Sequence, residues 1–301
     1  MQAFLDRHPD LEIFEVMLPD LGGGLRGKWV TRDKIDKVMA GGLKLPLSAL
    51  AFDVWGRDVE AWVWDSGDGD GLCRADSRSL APVPWAERPT GQVMMSLCEL
   101  DGTPCAYDPR FLVAGLMERF AGLGLTPVLA SEMEFYLLEP GEDSRGKPLH
   151  TQTDRFGGAL ASGQTYSIDT MGAMAELMHG VRDACTAQQL PVDTLIKESA
   201  PSQYEINLYH CPDALLAADQ AVMLQRAIRG VARRQGLRAS FMAKPFGELA
   251  GNGMHLHCSV LDKAGANAFD DGSGRGTDLL RHAIAGCLAS MADFMLLFAP
   301  H

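Results

Sequence analysis

Two glutamates separated by a single residue, Glu132 and Glu134, have a spacing that suggests chemistry. They lie in the stretch 131–138, which is apolar after the second glutamate and which we expect to be a short strand. Positions i and i+2 of a strand share one face, so the two carboxylates lie about 7 Å apart. Carboxylates that close in a partly dry site repel each other and need solvent, a shared proton, a basic residue or cations to compensate. The separation suits two cations better than one. A solvent-facing edge strand with two ordinary glutamates is the alternative.

Further residues of ligand type follow later in the chain. Glu198 and Glu205 flank a predicted turn, and the second of them begins a strand-like alternation. His255, His257 and Ser259 alternate along another predicted strand, although histidines on strands are often structural. Four glutamates and a histidine brought together from separate strands would form mostly oxygen-ligand sites. Such sites favour Mg²⁺ or Mn²⁺ over zinc.

Two glycine-rich stretches imitate ligand-binding loops. Residues 22–27 match the Gly-x-Gly-x-x-Gly dinucleotide fingerprint, but the sequence after them is typical of a strand rather than of a helix. Residues 65–71 resemble a calcium-binding loop, but the acids are out of register and no glutamate closes the loop. We therefore expect a plain turn at each place.

Composition limits the class of protein. The chain has 301 residues, enough for about two domains, and a net charge of -12 that argues against nucleic acid or anionic membrane as the main partner. Seven cysteines form no Cys-x-x-Cys pair, and the N-terminus has no signal-peptide core, so we expect a reduced, cytoplasmic setting. The apolar run 283–298 contains Asp293 and is too short to span a bilayer, which indicates a buried helix.

The elements that must position these residues follow from periodicity and turn signals. The first hundred residues are predicted to be rich in strands, including a pair formed by residues 50–55 and 60–64. Asp108 and the proline after it predict the start of a helix that leads to the strand with the two glutamates. Helical periodicity covers residues 169–189, 212–235 and 277–298, and residues 140–165 are predicted to form a surface loop.

Taken together, these motifs resemble the glutamine synthetase family. The resemblance rests on the order of four separated motifs, which are Glu132-x-Glu134, then Glu198 with Gln203 and Glu205, then Lys244-Pro245, and finally Gly253-Met254-His255-x-His257-x-Ser259. It covers essentially the whole chain and is strongest with the γ-glutamylputrescine synthetase-like branch, which ligates amines to glutamate.

The resemblance implies an α+β fold with two domains. Residues 1–100 would form a small N-terminal β-grasp-like domain. Residues 101–301 would form a glutamine synthetase catalytic domain, an antiparallel sheet with helices packed on it, incomplete at the C-terminus.

The implied activity is that of an ATP-dependent ligase. Glutamate's γ-carboxylate takes the γ-phosphoryl group of ATP, and an amine, putrescine or a related polyamine, then displaces phosphate. The resemblance also implies a homo-oligomer with sites between subunits.

Roles carry over by motif position. Metal ligands would be Glu134, Glu198 and Glu205 at one Mg²⁺ or Mn²⁺ ion, and Glu132 and His255 at a second ion that bridges the phosphates of ATP. Glu205 would also serve catalysis. Residues towards ATP would be Asp193, His257 and Ser259, and substrate-binding residues would be Gly251 and Tyr166. Asp53 would reach the neighbouring subunit's site and help to deprotonate the amine.

Three departures from the family pattern matter. Ala250 stands where ammonia-using bacterial members often have an asparagine, and the sequence around Asp53 differs from theirs, which favours a bulkier amine. The chain ends at His301, before the family segment that carries the glutamate- and phosphate-binding arginines and a further metal-binding carboxylate. We therefore expect a fragment with weak metal binding and little turnover alone.

Three alternatives stay open. One is an ammonia-using glutamine synthetase, and another is a non-catalytic relative that keeps the fold. The third is a metal-dependent hydrolase built on His255 and His257, which would need a further ligand near that strand.

Overall fold

The structure is a computed structural model that describes residues 1–53, 55–61, 63, 67–151 and 163–298. The helices are α1 (Gln2–Arg7), α2 (Ile35–Met39), α3 (Pro109–Gly122), α4 (Ile168–Ala173), α5 (Ala175–Ala187), α6 (Ala214–Arg234) and α7 (Asp278–Phe298), with short 3₁₀ turns at Arg32–Lys34, Leu47–Leu50 and Ser77–Ser79. The strands are β1 (Ile13–Pro19), β2 (Leu25–Thr31), β3 (Leu43–Pro46), β4 (Asp70–Ala75), β5 (Ala81–Pro82), β6 (Thr90–Cys98), β7 (Thr126–Glu142), β8 (Pro148–His150), β9 (Val192–Lys197), β10 (Gln203–Leu208), β11 (Arg238–Ser240) and β12 (Met254–Leu261).

The first sheet has the strand order β2-β1-β6-β4-β3, and β5 pairs with β6. Strands β1 and β6 run parallel, whereas the other pairs are antiparallel. The glycine-rich stretch 22–27 leads directly into β2, so the strand predicted after it, in place of a helix, is confirmed. The β-grasp assignment and the boundary between residues 100 and 101 stay predictions.

The predicted strand pair at 50–55 and 60–64 is wrong. Leu47–Leu50 forms a 3₁₀ turn, and residues 60, 61 and 63 are helical. Phe52 forms an isolated bridge with Asp58, which lies before the second predicted strand. The carboxylate of Asp53 accepts hydrogen bonds from the backbone N–H groups of Trp55 and Arg57, which turns the chain. Residues 54, 62 and 64–66, which include part of the rejected calcium loop, lie outside the described residues.

The second sheet is built on β7, and its pairings are antiparallel, as predicted. The strand order is β11-β7-β10-β9, and β12 and β8 each pair with β7 as well. Helices α5 and α6 pack on one face, where alternate residues of β7 and β10 are buried in the largest apolar cluster. Strand alternation leaves every second side chain of these strands on the opposite face. The middle of the predicted loop, residues 152–162, is not described.

Helix α3 begins as predicted and joins the two sheets. The Asp108 side chain accepts hydrogen bonds from the N–H groups of Arg110 and Phe111, an N-cap that proline follows at the first helical position. The buried guanidinium of Arg110 donates both Nε and Nη2 to Asp219 of α6, at 2.9 and 2.8 Å. It also donates to Asp76 at 2.8 Å, ahead of the Ser77–Ser79 turn. This charge network ties α3 and α6 to the N-terminal sheet.

The other predicted helices are present, with the first of them broken at Met174 between α4 and α5. Large apolar side chains of α7, such as Leu288 and Phe298, are exposed, contrary to the expectation of a buried helix. No helix among the described residues is long and apolar enough to cross a bilayer. All seven cysteines are free thiols.

Candidate active site

Glu132 and Glu134 lie on the open face of the second sheet. Met133, Phe135 and Leu137 point into the helix-covered core and are at most 4% exposed. Because strand side chains alternate, Glu132 and Glu134 occupy the opposite face. Their shared face was predicted from the sequence, and the strand register confirms it.

Strand β10 adds Glu205 to this face. It pairs antiparallel with β7, and Glu205 lies directly opposite Glu134 while Asn207 lies opposite Glu132. Directly opposite side chains share a face and have Cβ atoms about 4.5–5.5 Å apart. Glu198 follows the end of β9, and its N–H donates to the carbonyl of Gln203, which places it beside the same carboxylates. Strands distant in sequence therefore bring the four glutamates together, as expected.

The carboxylates repel one another. Burial, joined by the charges of Glu132, Glu198 and Glu134, raises the pKa of Glu205, which is 7% exposed. Burial and the charge of Glu134 likewise raise the pKa of Glu198. No lysine or arginine of the described residues forms a salt bridge with Glu134, Glu198 or Glu205. The cluster is thus a concentrated negative charge that a cation would stabilise.

Glu134 is oriented by neutral donors. Its Oε2 accepts hydrogen bonds from the Gln203 side-chain amide at 3.1 Å and from the Gly253 N–H at 3.0 Å. A Cβ at Gly253 would lie 3.1 Å from Glu134 Oε1, so the glycine allows this close approach. Gln203 belonged to the family pattern, whereas the backbone donor at Gly253 has no side-chain signal in the sequence.

Glu132 is held by two histidines of β12. His255 lies opposite Glu132 in the sheet, and its Nδ1 is 3.1 Å from Oε2, while His257 Nε2 is 2.9 Å from Oε1. Burial acts to raise the pKa of Glu132, but the hydrogen bonds from the two histidines outweigh it and lower the pKa. The His210 ring lies edge-on to His257, with centroids 6.1 Å apart. Ser259 follows on the same face, opposite Val128.

The loop that carries Gly251 is anchored beside Glu134. The Gly251 carbonyl accepts a hydrogen bond from Gln203 Nε2 at 2.8 Å, so one amide binds both the loop and a carboxylate. The Tyr136 hydroxyl donates to the Ala250 carbonyl at 2.6 Å, and Tyr136 packs against Phe246 of the same loop. A Cβ at Gly251 would approach the Ala243 carbonyl to 2.6 Å, which requires glycine at this position.

A buried lysine adjoins the cluster on the other side of the sheet. Lys197 is 1% exposed, pairs with core residue Tyr204 across the strands, and its Nζ donates to the carbonyls of Glu198 and Ala200 at 2.5 Å each. Burial lowers the pKa of Lys197 to about 8. Sequence reasoning missed this residue. Strand alternation from Glu198 could have revealed a lysine directed into the core.

Tyr166 lies next to the strand end that leads to Glu198. Its N–H donates to the Lys197 carbonyl at 2.8 Å, and its side chain is 72% exposed. Its φ of 63° is in the left-handed region, which is unfavourable for a bulky side chain and is often found at functional sites.

The structure does not bring Asp193 together with the carboxylates. Asp193 lines a surface pocket of about 440 Å³ with Arg182 and Thr186 of α5 and with Leu195, which packs against the apolar core. It also hydrogen-bonds Tyr209, the residue before His210, and thereby raises the pKa of the Tyr209 hydroxyl. A β-bulge in the pairing of β9 with β10 falls next to it. Asp193 therefore lies on the helix side, beyond the histidine end of the site.

Asp53 is held by its own loop in this chain. Its carboxylate accepts hydrogen bonds from the backbone of Trp55 and Arg57 and forms a salt bridge with the Arg57 guanidinium at 2.8 Å. These hydrogen bonds, led by the backbone of Arg57, lower the pKa of Asp53. The structure places it in the N-terminal part of the chain, in contact with none of the four glutamates.

The donor set fits hard divalent cations. Four carboxylates and two imidazoles face the same side, and oxygen donors of this kind suit Mg²⁺ and Mn²⁺. The buried Oδ1 of Asn207, opposite Glu132, has no hydrogen-bond partner among the described residues and adds another oxygen. Within the described residues, no three acidic, histidine or cysteine side chains converge closely enough to ligate one ion.

Comparison with known proteins agrees with this geometry. The chain is 33% identical to γ-glutamylputrescine synthetase PuuA of Escherichia coli strain K12 over 306 aligned positions, covering 100% of this chain and 64% of that protein. It is 31% identical to γ-glutamylethanolamide synthetase GlnA4 of Streptomyces coelicolor, covering 97% of this chain and 63% of that protein. The chain thus spans less than two thirds of the length of these curated relatives.

The fold is similar to that of a solved structure of GmaS in complex with ADP. The TM-score is 0.81 at 25% sequence identity, with 96% of this chain and 62% of that chain covered. The family model of the glutamine synthetase catalytic domain matches residues 106–301, the part that contains the carboxylates, the histidines and Gly251. The chain therefore belongs to the glutamine synthetase family.

Proposed function

We propose that this chain is the catalytic part of an ATP-dependent ligase that joins an amine to the γ-carboxylate of glutamate. The observation that carries the proposal is the cluster of four carboxylates on one sheet face, two of them with raised pKa values. Phosphoryl transfer needs charge neutralisation and positioning more than covalent help from the protein. A face of fixed carboxylates that binds divalent cations meets both needs.

The carboxylates would hold two Mg²⁺ or Mn²⁺ ions. Glu134, Glu198 and Glu205 would bind the ion nearest glutamate and the amine, and Glu132 with His255 would bind the ion at the phosphates. Bound ions neutralise the phosphate charge and orient the γ-phosphoryl group of ATP towards the carboxylate. The site thereby supports formation of γ-glutamyl phosphate, which the amine then attacks with release of phosphate.

Other residues would bind the substrates. The Gly251 backbone would contact glutamate, since its loop is fixed beside Glu134 by Gln203. His257 and Ser259 would face ATP, because they continue the β12 face beyond His255. Asp193 would contact the nucleotide only at the far end of the site, where Tyr209 connects it to His210.

The amine pocket would lie at Glu198. Tyr166 would close it, which its exposed side chain and its hydrogen bond beside Glu198 support. We propose a homo-oligomer in which Asp53 of one subunit helps to deprotonate the amine in the neighbouring site, consistent with Asp53 contacting no glutamate of its own cluster. Mixing Asp53→Ala and Glu205→Gln subunits tests this, because hybrid sites should regain activity that neither variant has alone.

The substrate is proposed to be an alkylamine, such as putrescine, rather than ammonia. The relatives described above are named for putrescine and ethanolamide products, and Ala250 replaces an asparagine frequent in ammonia-using members. The alternative hydrolase is disfavoured because the family model of the glutamine synthetase catalytic domain covers the strand that carries His255 and His257. Retention of the four clustered glutamates disfavours a non-catalytic relative.

The test is an amine panel on the purified protein that carries this chain. Glutamate, MgATP and one amine at a time (putrescine, ethanolamine, isopropylamine or ammonia) are incubated, and phosphate release and the γ-glutamyl amide are measured. We expect amine-dependent phosphate release that Glu134→Gln abolishes and that Glu118→Gln, on exposed α3, leaves unchanged. Absence of amide with every amine refutes the ligase, and a clear preference for ammonia refutes the substrate assignment.

A further inference from the structure

Lys197, on β9, is a buried titratable residue of the second sheet for which the proposed chemistry has no use. Lys197 is 1% exposed, and no carboxylate oxygen of the described residues lies within salt-bridge distance of its ammonium. An ammonium in such a place loses its hydration, and burying a charge without a counter-ion is costly. A neutral side chain of similar size would serve the core better, so the charge needs another explanation.

The ammonium is used as a donor to one turn. Residues 198–203 form this turn, named here the 198–203 turn, and it connects β9 to β10. Lys197 Nζ lies 2.5 Å from the carbonyl oxygen of Glu198 and 2.5 Å from that of Ala200. Buried backbone carbonyls need partners, and charge-assisted hydrogen bonds are among the stronger ones. The side chain therefore fixes the direction of two peptide groups.

The 198–203 turn connects two of the proposed metal ligands. Glu198 begins it, and Glu205 lies two residues beyond its end on the same sheet face. Within the turn, the Glu198 N–H donates to the Gln203 carbonyl at 3.0 Å and the Gln203 N–H donates to the Ala200 carbonyl at 3.2 Å. Gln203 in turn holds Glu134 and Gly251 with its side-chain amide. Rotation of a peptide in the turn would move Glu198 and loosen Gln203.

We propose that Lys197 is a positioning residue that sets the 198–203 turn from the core side, so that Glu198 and Gln203 are placed for metal binding. The part of this inference that concerns metal binding rests on the proposed function. The effect of Lys197 on the turn does not depend on any metal. The core tolerates an unpaired ammonium here because the carbonyls it holds determine the geometry on the opposite face.

The matched pair of variants is Lys197→Met and Tyr204→Phe. Methionine has similar length and no donor, so it leaves the core filled and the two carbonyls without their partner. Tyr204 packs beside the ammonium, its ring centroid 5.3 Å from Nζ, and its buried hydroxyl has no partner among the described residues. Tyr204→Phe therefore perturbs the same part of the core without changing the turn. Lys197→Gln, one atom shorter but still a donor, is the second variant.

The first measurement is amide hydrogen exchange at Glu198 and Gln203 without metal. We expect the two amides to exchange about ten-fold faster in Lys197→Met than in Tyr204→Phe, with Lys197→Gln in between. The melting temperature of Lys197→Met should be no lower than that of the wild type. Should Lys197→Met fail to fold, the comparison of Lys197→Gln with Tyr204→Phe decides in the same way. Unchanged exchange in both lysine variants overturns the proposal.

The second measurement is Mn²⁺ binding by calorimetry. Loss of residues that orient metal ligands typically weakens affinity by about 10- to 100-fold. We expect at least a ten-fold loss in Lys197→Met and less than a three-fold change in Tyr204→Phe. Equal affinities for wild type and Lys197→Met overturn the positioning role. A wild-type chain that binds no Mn²⁺ refutes the proposed metal site instead, and hydrogen exchange still decides whether Lys197 holds the turn.

Discussion

Replacing Glu205 with glutamine should make the metal-free chain more stable and weaken its response to metal. Glu205 is 7% exposed and lies opposite Glu134 in the sheet. Burial raises its pKa, and the charges of the other three glutamates raise it further. Glutamine keeps the shape and most of the hydrogen-bonding capacity but carries no charge. The variant therefore removes repulsion at little cost in packing.

The gain in stability can be bounded. Two unit charges about 5.5 Å apart repel by about 3 kcal/mol at an effective dielectric of 20. Like charges directly opposite on a sheet cost about 0.2–1 kcal/mol each, because solvent screens them. Glu205 has one carboxylate directly opposite it and two more distant ones. Removing its charge should therefore raise the free energy of unfolding of the metal-free chain by about 1–2 kcal/mol. For 301 residues, an unfolding entropy of about 2.1 cal/mol/K per residue converts this to about 2 to 3 °C.

With metal bound, the wild type should be more stable than the Glu205→Gln variant. A cation that binds only the folded wild type stabilises it by about 2.7 kcal/mol at a concentration 100 times its Kd, or about 4 °C for a chain of this length. Thermal melts with and without Mn²⁺, followed by circular dichroism, give both quantities. The control is Glu118→Gln, a change of the same kind on the exposed side of α3, which should follow the wild type throughout.

The pH dependence of the stability difference between Glu205→Gln and wild type gives an independent check of its sign. A carboxyl whose pKa is raised in the folded state favours folding below its unfolded pKa of 4.5, and this contribution is lost as pH rises through the raised value. The metal-free difference between Glu205→Gln and wild type should thus be small at about pH 4 and full at about pH 7. A variant less stable than wild type at pH 7 without metal, or one that keeps the full Mn²⁺ response, refutes the reasoning.

Two further substitutions probe the supports of the site. Arg110→Met should lower the free energy of unfolding, measured by urea titration, by about 3–5 kcal/mol. The reason is that Asp219 and Asp76 lose the buried cation that they share. A loss below about 1 kcal/mol would contradict this. Gly251→Ala should weaken Mn²⁺ binding, because its Cβ would approach the Ala243 carbonyl to 2.6 Å and displace the loop beside Glu134, whereas Gly247→Ala, with open space around it, should not.

Much of the carboxylate face could be predicted from the sequence, because local rules determine it. Alternation alone placed Glu132 and Glu134 on one side of a strand, and the N-cap at Asp108 correctly marked the start of α3. The meeting of Glu205 with Glu134 depends on strand register between distant segments, which periodicity does not encode. There the resemblance to a family supplied what local rules could not.

The failures also have physical causes. The strand pair predicted after residue 50 is replaced by a turn because the Asp53 carboxylate binds two backbone N–H groups, a competition that apolar patterning does not reveal. Asp193 lies beside a β-bulge of β9, and because bulges shift side chains relative to simple alternation, its direction could not be predicted from the strand pattern. Lys197 was overlooked because a charged residue in a strand is expected to face solvent.

Lys197 and Glu198 show why expectations from sequence alone are least reliable at the candidate site. Neighbouring residues of one strand end point to opposite faces, and each carries a charge that its own surroundings disfavour. A sequence selected for stability alone would place neutral groups at both positions, because burial lowers the pKa of the lysine and raises that of the glutamate. We propose that the lysine is present for the two carbonyls it holds and the glutamate for a cation that it would bind. On this proposal, the stability lost at the two adjacent positions is the consequence of a turn that places metal ligands.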